Sequence, residues 1–285
     1  MRWTPGQRSP NLEDRRATTG GRRMVLPMGG LGLGGILILL VLSFIFKTDL
    51  LSLFAGGGPA VQVGAPSGEF QTTAEEEKLV DFVSFVLDDA QGTWARIFEQ
   101  SGQQYQPARL VVYRGATETG CGFGDAATGP FYCPEDGTVY IDLSFYGDLR
   151  DRFGAPGDFA QAYVLAHEIG HHVQNLLGVS SQVRNAQQSD PAGANEMSVR
   201  LELQADCYAG MWGHATQQRS ILEEGEIDEA LQAAAAIGDD RLQRRAEGTV
   251  TPDSFTHGSS AQRVEWFRRG FQSGDPAACD TFGGR

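Results

Sequence analysis

The chain has 285 residues, enough for one substantial globular domain with an added tail or anchor. Its 41% apolar and 9% aromatic content are those of a chain that buries a core, which excludes global disorder. A net charge of −13 argues against a nucleic-acid partner, because phosphate binding needs a surplus of Lys and Arg on one face.

The basic residues are unevenly spread. Before residue 24 stand Arg2, Arg8, Arg15, Arg16, Arg22 and Arg23 against only Glu13 and Asp14, so residues 1–23 read as a separate basic tail. Residues 24–46 contain no ionisable side chain, and Leu31 to Phe46 is almost wholly apolar. Roughly 20 such residues in a helix cross a bilayer core, so 24–46 is predicted to be one transmembrane helix. Arg22 and Arg23 precede it and only Lys47 follows. The positive-inside bias then puts the N-terminus in the cytoplasm and the rest of the chain outside the cytoplasmic membrane. A cleaved signal peptide, with a small-residue site near Ala55 to Gly58, is the alternative and also exports the main domain. Residues 47–74, rich in Gly, Pro, Ala and Thr, read as a flexible linker to a domain over 75–285. No internal repeat is evident, which sets solenoids and propellers aside.

Thr73 and Glu76 have the spacing of a capping box, opening a helix in which Leu79, Phe82, Val83 and Val86 recur at helical intervals. Arg109 to Tyr113 and Thr138 to Leu143 read as strands. Helical patterns follow near Tyr146 to Phe153, then at Pro156 to Leu177, Asn195 to about Gln218, Ile227 to Arg245 and Ser259 to Phe271. The predicted class is α+β, mostly helical with a small sheet. An even count of cysteines in an exported domain predicts two disulfides. Connectivity is open from sequence, and the simplest pairing is Cys121 with Cys133 and Cys207 with Cys279. A Cys-rich zinc site competes with this only weakly, since no C-x-x-C pair is present.

The helix over Pro156 to Leu177 contains AHEIGHH. His167 and His171 are four apart and share a face, so two imidazoles can reach one ion. Glu168 lies about 100° around the helix from His167, beside that ion rather than on it. There it can take a proton from a water that the ion activates. A catalytic zinc needs a third protein ligand and an open position. Glu202 and Asp206, in E-L-Q-A-D on a later helix, are again four apart. Glu202 is the candidate third ligand, and Asp206 the acceptor that fixes the tautomer of a ligand histidine. His172 lies off the metal-facing stripe and reads as a packing or hydrogen-bonding residue, and His214 as a helix-surface residue.

The chain from about residue 70 onward resembles the putative neutral zinc metallopeptidase family of bacteria. The matching pieces are CGFG at 121–124, GPFYCP at 129–134, YIDLSF at 140–145, AHEIGHHVQ at 166–174, ELQADCYAG at 202–210, THGSSAQR at 256–263 and ACDTF at 278–282. More distantly, the motif pair is similar to that of the membrane zincins that include prenyl-protein peptidases, and of thermolysin-like enzymes. The resemblance implies a zincin-like domain and a Zn²⁺-dependent endopeptidase with two histidines and a glutamate on the metal. Membrane zincins carry a T-H-P-S segment whose histidine stabilises the oxyanion. Thr256, His257, Gly258 and Ser259 stand in its place, with Gly for Pro, so the resemblance carries that role to His257. Arg263 is expected to position nearby carboxylates, Asp206 among them.

The expected reaction is hydrolysis of a protein or peptide substrate, with Glu168 as base and His257, Tyr140 or Tyr208 holding the oxyanion. The strand Thr138 to Leu143 is the expected edge on which substrate lies. Two other readings of the same site are a catalytically silent zinc-binding envelope chaperone or adaptor, and an amidase acting on cell-wall peptides. The oligomeric state is not readable from sequence.

Overall fold

The computed structural model describes residues 1–17, 71–126 and 129–283. The apolar run 24–46, and the linker as far as residue 70, lie outside the described residues. No helix among the described residues is long and apolar enough to cross a membrane.

Helix α1 (Ala74–Gln100) begins at the expected capping box: the Thr73 side chain accepts from the Glu76 N–H, and the Glu76 carboxylate accepts from the Thr73 N–H. Such a cap is worth about 1 kcal/mol. Burial of the inner face, with Val83, Val86, Leu87 and Trp94 at most 2% exposed, contributes far more, at about 1.5–3 kcal/mol for each fully buried large apolar side chain. A four-stranded sheet follows, in the order β1 (Leu12–Asp14), β2 (Arg109–Tyr113), β6 (Thr138–Asp142), β5 (Phe131–Cys133). β1, β2 and β6 run parallel, and β5 runs antiparallel to β6. A small hairpin, β3 (Ala116–Thr119) with β4 (Gly122–Asp125), forms a second sheet.

Two sequence expectations need correction here. β6, which covers the strand expected to be a free edge, lies between β2 and β5 with every residue buried. The edge beside the later helices is β5, a strand too short to show an alternating pattern of its own. The basic tail is likewise not separate over residues 1–17. Leu12, Glu13 and Asp14 pair with Leu110, Val111 and Val112 as the far edge strand of the sheet.

The remaining elements are helical: α2 (Ser144–Asp151), α3 (Asp158–Leu176), α4 (Val179–Ser189), α5 (Ala194–Gln218), α6 (Glu226–Ala236), α7 (Asp239–Glu247) and α8 (Ser260–Ser273). Gly178, in the left-handed region at φ 75°, ends the α3 segment at the position the sequence indicated. The helix expected over Ile227 to Arg245 is instead two, because Gly238 adopts an extended conformation (φ −70°, ψ 143°) between α6 and α7. Disulfides join Cys121 to Cys133 and Cys207 to Cys279. The second closes a separation of 72 residues and ties the C-terminal segment to α5, a loop whose closure contributes about 4 kcal/mol in the chain-entropy description.

Candidate metal centre

The central helix α3 packs against α1, α5 and α6, which is why its apolar residues are not confined to one stripe. At Gly170, between the two motif histidines, α5 approaches closely: a Cβ there would sit 3.0 Å from the Ala205 carbonyl oxygen. That close approach brings the Glu202–Asp206 face of α5 onto the His167–His171 face of α3. His167 Nε2 lies 3.2 Å from Glu202 Oε2, and His171 Nε2 lies 3.4 Å from Glu202 Oε1. Ligand atoms of His167, His171 and Glu202 all fall within 4.8 Å of one another, the one such group of three among the described residues.

Both imidazoles are oriented from behind. His167 Nδ1 donates to Asp206 Oδ1 at 2.9 Å, and His171 Nδ1 donates to Gln174 Oε1 at 2.8 Å. Gln174 is held in turn by the Leu201 carbonyl and by Gln204. With each Nδ1 used as a donor, each Nε2 presents its lone pair toward Glu202. Gln174 was missed by the sequence reading, although its i, i+3 spacing from His171 puts it within reach on the same helix.

Asp206 is fully buried and also accepts from Tyr163 Oη at 2.5 Å and from Arg263 Nε and Nη2 at 2.8 and 3.0 Å. Arg263 comes from α8 and is itself 2% exposed. Burial works against ionising Asp206, but Arg263 and His167 outweigh it and keep its pKa below the ordinary carboxylate value. Burial likewise opposes charge on Glu202, and His171 and His167 together hold its pKa well below normal. On His167 burial disfavours the cation, yet Asp206 and Glu202 prevail and raise its pKa to about 10. A pocket that favours a positive charge between these groups also favours a divalent cation, which needs the imidazoles neutral and replaces their protons. Two imidazole nitrogens, one carboxylate, hydrogen-bonded outer nitrogens and an adjacent groove match a zinc site with an open position.

Glu168 is 7% exposed, and its carboxylate makes no hydrogen bond with the described residues. Burial raises its pKa, partly offset by His171 and His167. It lines a groove of about 850 Å³ together with His167, His171, Glu202, Tyr163 and His257. Phe131, Tyr132 and Pro134 of the β5 segment form part of the wall. The edge strand is fixed to the motif helix by His172 and Asn175, each 3.0 Å from Tyr132 Oη. His172 is therefore a bridging residue rather than a ligand. His214 is only partly exposed and bonds the Phe271 carbonyl at 2.7 Å.

His257 reaches the groove from the segment before α8. Asp239, the first residue of α7, gathers it: Asp239 Oδ2 accepts the backbone N–H groups of Thr256, His257 and Gly258 at 2.7, 2.7 and 3.1 Å. Its Oδ1 lies 3.2 Å from His257 Nδ1. That hydrogen bond raises the pKa of His257, with burial opposing it. His257 Nε2 has no partner among the described residues. The break between α6 and α7 is what places Asp239 here, and an unbroken helical pattern gave no sign of it. Neither tyrosine expected at the oxyanion lines the groove. Tyr140 Oη bonds Asp136 at 2.7 Å, and Tyr208 is buried against Trp94.

Two helices of a mostly helical α+β domain converge on a His₂Glu centre, and the chain belongs to the family described as "Putative neutral zinc metallopeptidase", which matches residues 1–282. It is 52% identical over 289 residues to the uncharacterized protein YpfJ of Escherichia coli (strain K12), covering 99% of each chain. It is 47% identical over 189 residues to the uncharacterized proteins Mb2605 of Mycobacterium bovis and Rv2575 of Mycobacterium tuberculosis, covering 62% of this chain and 63% of each relative. No solved structure matches the chain.

Proposed function

We propose that the protein is a zinc-dependent endopeptidase acting on protein or peptide segments outside the cytoplasm, with zinc held by His167, His171 and Glu202. The observation that carries this is a buried, unbonded Glu168 carboxylate beside three convergent ligand atoms on the floor of a groove. A zinc ion bound there supplies Lewis acidity, acidifying water and polarising a carbonyl.

The protein's own residues do the rest. Glu168 accepts a proton from the attacking water, its raised pKa suiting a group that takes a proton and returns it to the leaving amine. His257, held protonated by Asp239 with Nδ1–H donating to that carboxylate, presents Nε2–H as a donor to the developing oxyanion. The free side of β5 offers backbone groups to an extended substrate, which then lies against Phe131 and Tyr132. The fixed His172 and Asn175 bridges hold that edge in place relative to Glu168. The two disulfides favour an oxidising compartment.

Elemental analysis of wild type beside His171→Ala, together with peptide cleavage by Glu168→Gln, tests the reading. One zinc per chain lost in the first variant, and zinc retained with cleavage abolished in the second, are the expected results. A Glu168→Gln protein cutting at the wild-type rate would overturn the assignment.

A further inference from the structure

We propose that residues 1–17 are a structural part of the folded domain and lie on the same side of the membrane as the metal centre, so that the apolar run 24–46 does not part them.

The docking is extensive and chemically specific. β1 is a strand of the main sheet: the Leu110 N–H donates to the Asn11 carbonyl at 2.9 Å, and the Arg15 N–H to the Val112 carbonyl at 2.7 Å. Trp3 packs on Phe82 and Phe85 of α1. The Ser9 N–H donates to Ser84 Oγ, and Ser9 Oγ to Asp88. Arg16, 4% exposed, pairs with Asp14 and with Glu77 of α1, and Arg8 pairs with Glu77 and Asp81. Trp3, Ser9, Arg8 and Arg16 thus each meet a matching partner along one face of α1. A flexible basic tail would have no reason to do so.

A single crossing at 24–46 contradicts this docking, because it would leave residues 1–17 and 71–283 on opposite faces. The chain cannot return within 47–70. A second crossing needs about 20 predominantly apolar residues in a helix, and this stretch carries Lys47, Asp49, Pro59, Gln62, Pro66 and Glu69.

The native cysteines are all disulfide-paired, so single introduced cysteines report cleanly. Gln7→Cys and Ser101→Cys, both at exposed positions, are labelled in the full-length protein with a membrane-impermeant maleimide, in intact cells and after permeabilisation. The two positions should label together. Labelling of both in intact cells places the domain outside, and labelling of both only after permeabilisation places it inside. Labelling of one in intact cells and the other only after permeabilisation overturns the proposal. Hydrogen exchange on the purified full-length chain supplies a readout without substitution. The Arg15 amide should exchange at least about tenfold slower than an unstructured amide, and exchange at the unstructured rate would equally overturn it.

Discussion

Replacing Asp206 by Ala should damage two properties at once, and the two can be separated. Asp206 is fully buried and accepts hydrogen bonds from Tyr163, His167 and Arg263. Its removal leaves the buried Arg263 guanidinium without its carboxylate, which costs about 3–5 kcal/mol. At about 2–4 °C per kcal/mol for a domain near 200 residues, the melting temperature should fall by roughly 6–20 °C. Loss of the acceptor behind His167 also frees its ring and tautomer, which weakens zinc binding by about 10–100-fold. The double variant Asp206→Ala with Arg263→Met removes the orphaned cation, so stability should largely return while zinc affinity stays low. Differential scanning calorimetry and a competition titration against a chromophoric chelator read the two effects. If both variants bind zinc within twofold of wild type, Asp206 does not orient His167 and the second layer of the centre is wrongly drawn.

His257→Ala should lower kcat by about 10²–10³-fold with little change in KM, as expected for a donor to an oxyanion. Asp239→Asn should shift kcat the same way and less far, and peptide-cleavage kinetics at fixed pH will show whether the order holds. Gly170→Ala should force α3 and α5 apart at the Ala205 carbonyl, 3.0 Å from the new methyl, destabilising by about 1–3 kcal/mol and weakening zinc binding in the same titration. The docking of residues 1–17 should fail in acid. Hydrogen bonding to Arg16 lowers the pKa of Asp14, and bonds from Arg8 and Arg16 lower that of Glu77. Carboxylates with depressed folded pKa values stabilise above their ordinary range and lose that contribution as pH falls through the folded values, below about pH 4. Protection of the Arg15 amide, taken relative to its intrinsic exchange rate at each pH, should therefore fall there well before the Cys207–Cys279 region opens, and protection unchanged between pH 7 and 3 would count against the ion pairs.

What the sequence determined by itself is the local chemistry. The i, i+4 pairs His167/His171 and Glu202/Asp206 are readable because helical periodicity fixes which side chains share a face within one segment. The Thr73 capping box, the Gly178 helix end and the α+β class were readable for the same reason, since each depends on neighbours a few residues apart. The convergence of the two pairs required the α3–α5 crossing at Gly170, a contact between residues far apart in sequence. Tertiary structure alone decided that β5 and not β6 is the edge, because pairing order in a sheet is set by non-local hydrogen bonds. It also decided that Asp239 gathers His257, since that depends on the break in a pattern that reads as one helix. Arg8 and Arg16 look like free positive charge along the chain. Only the fold brings Glu77 and Asp81 of α1 against them and turns a basic tail into a strand and its anchors.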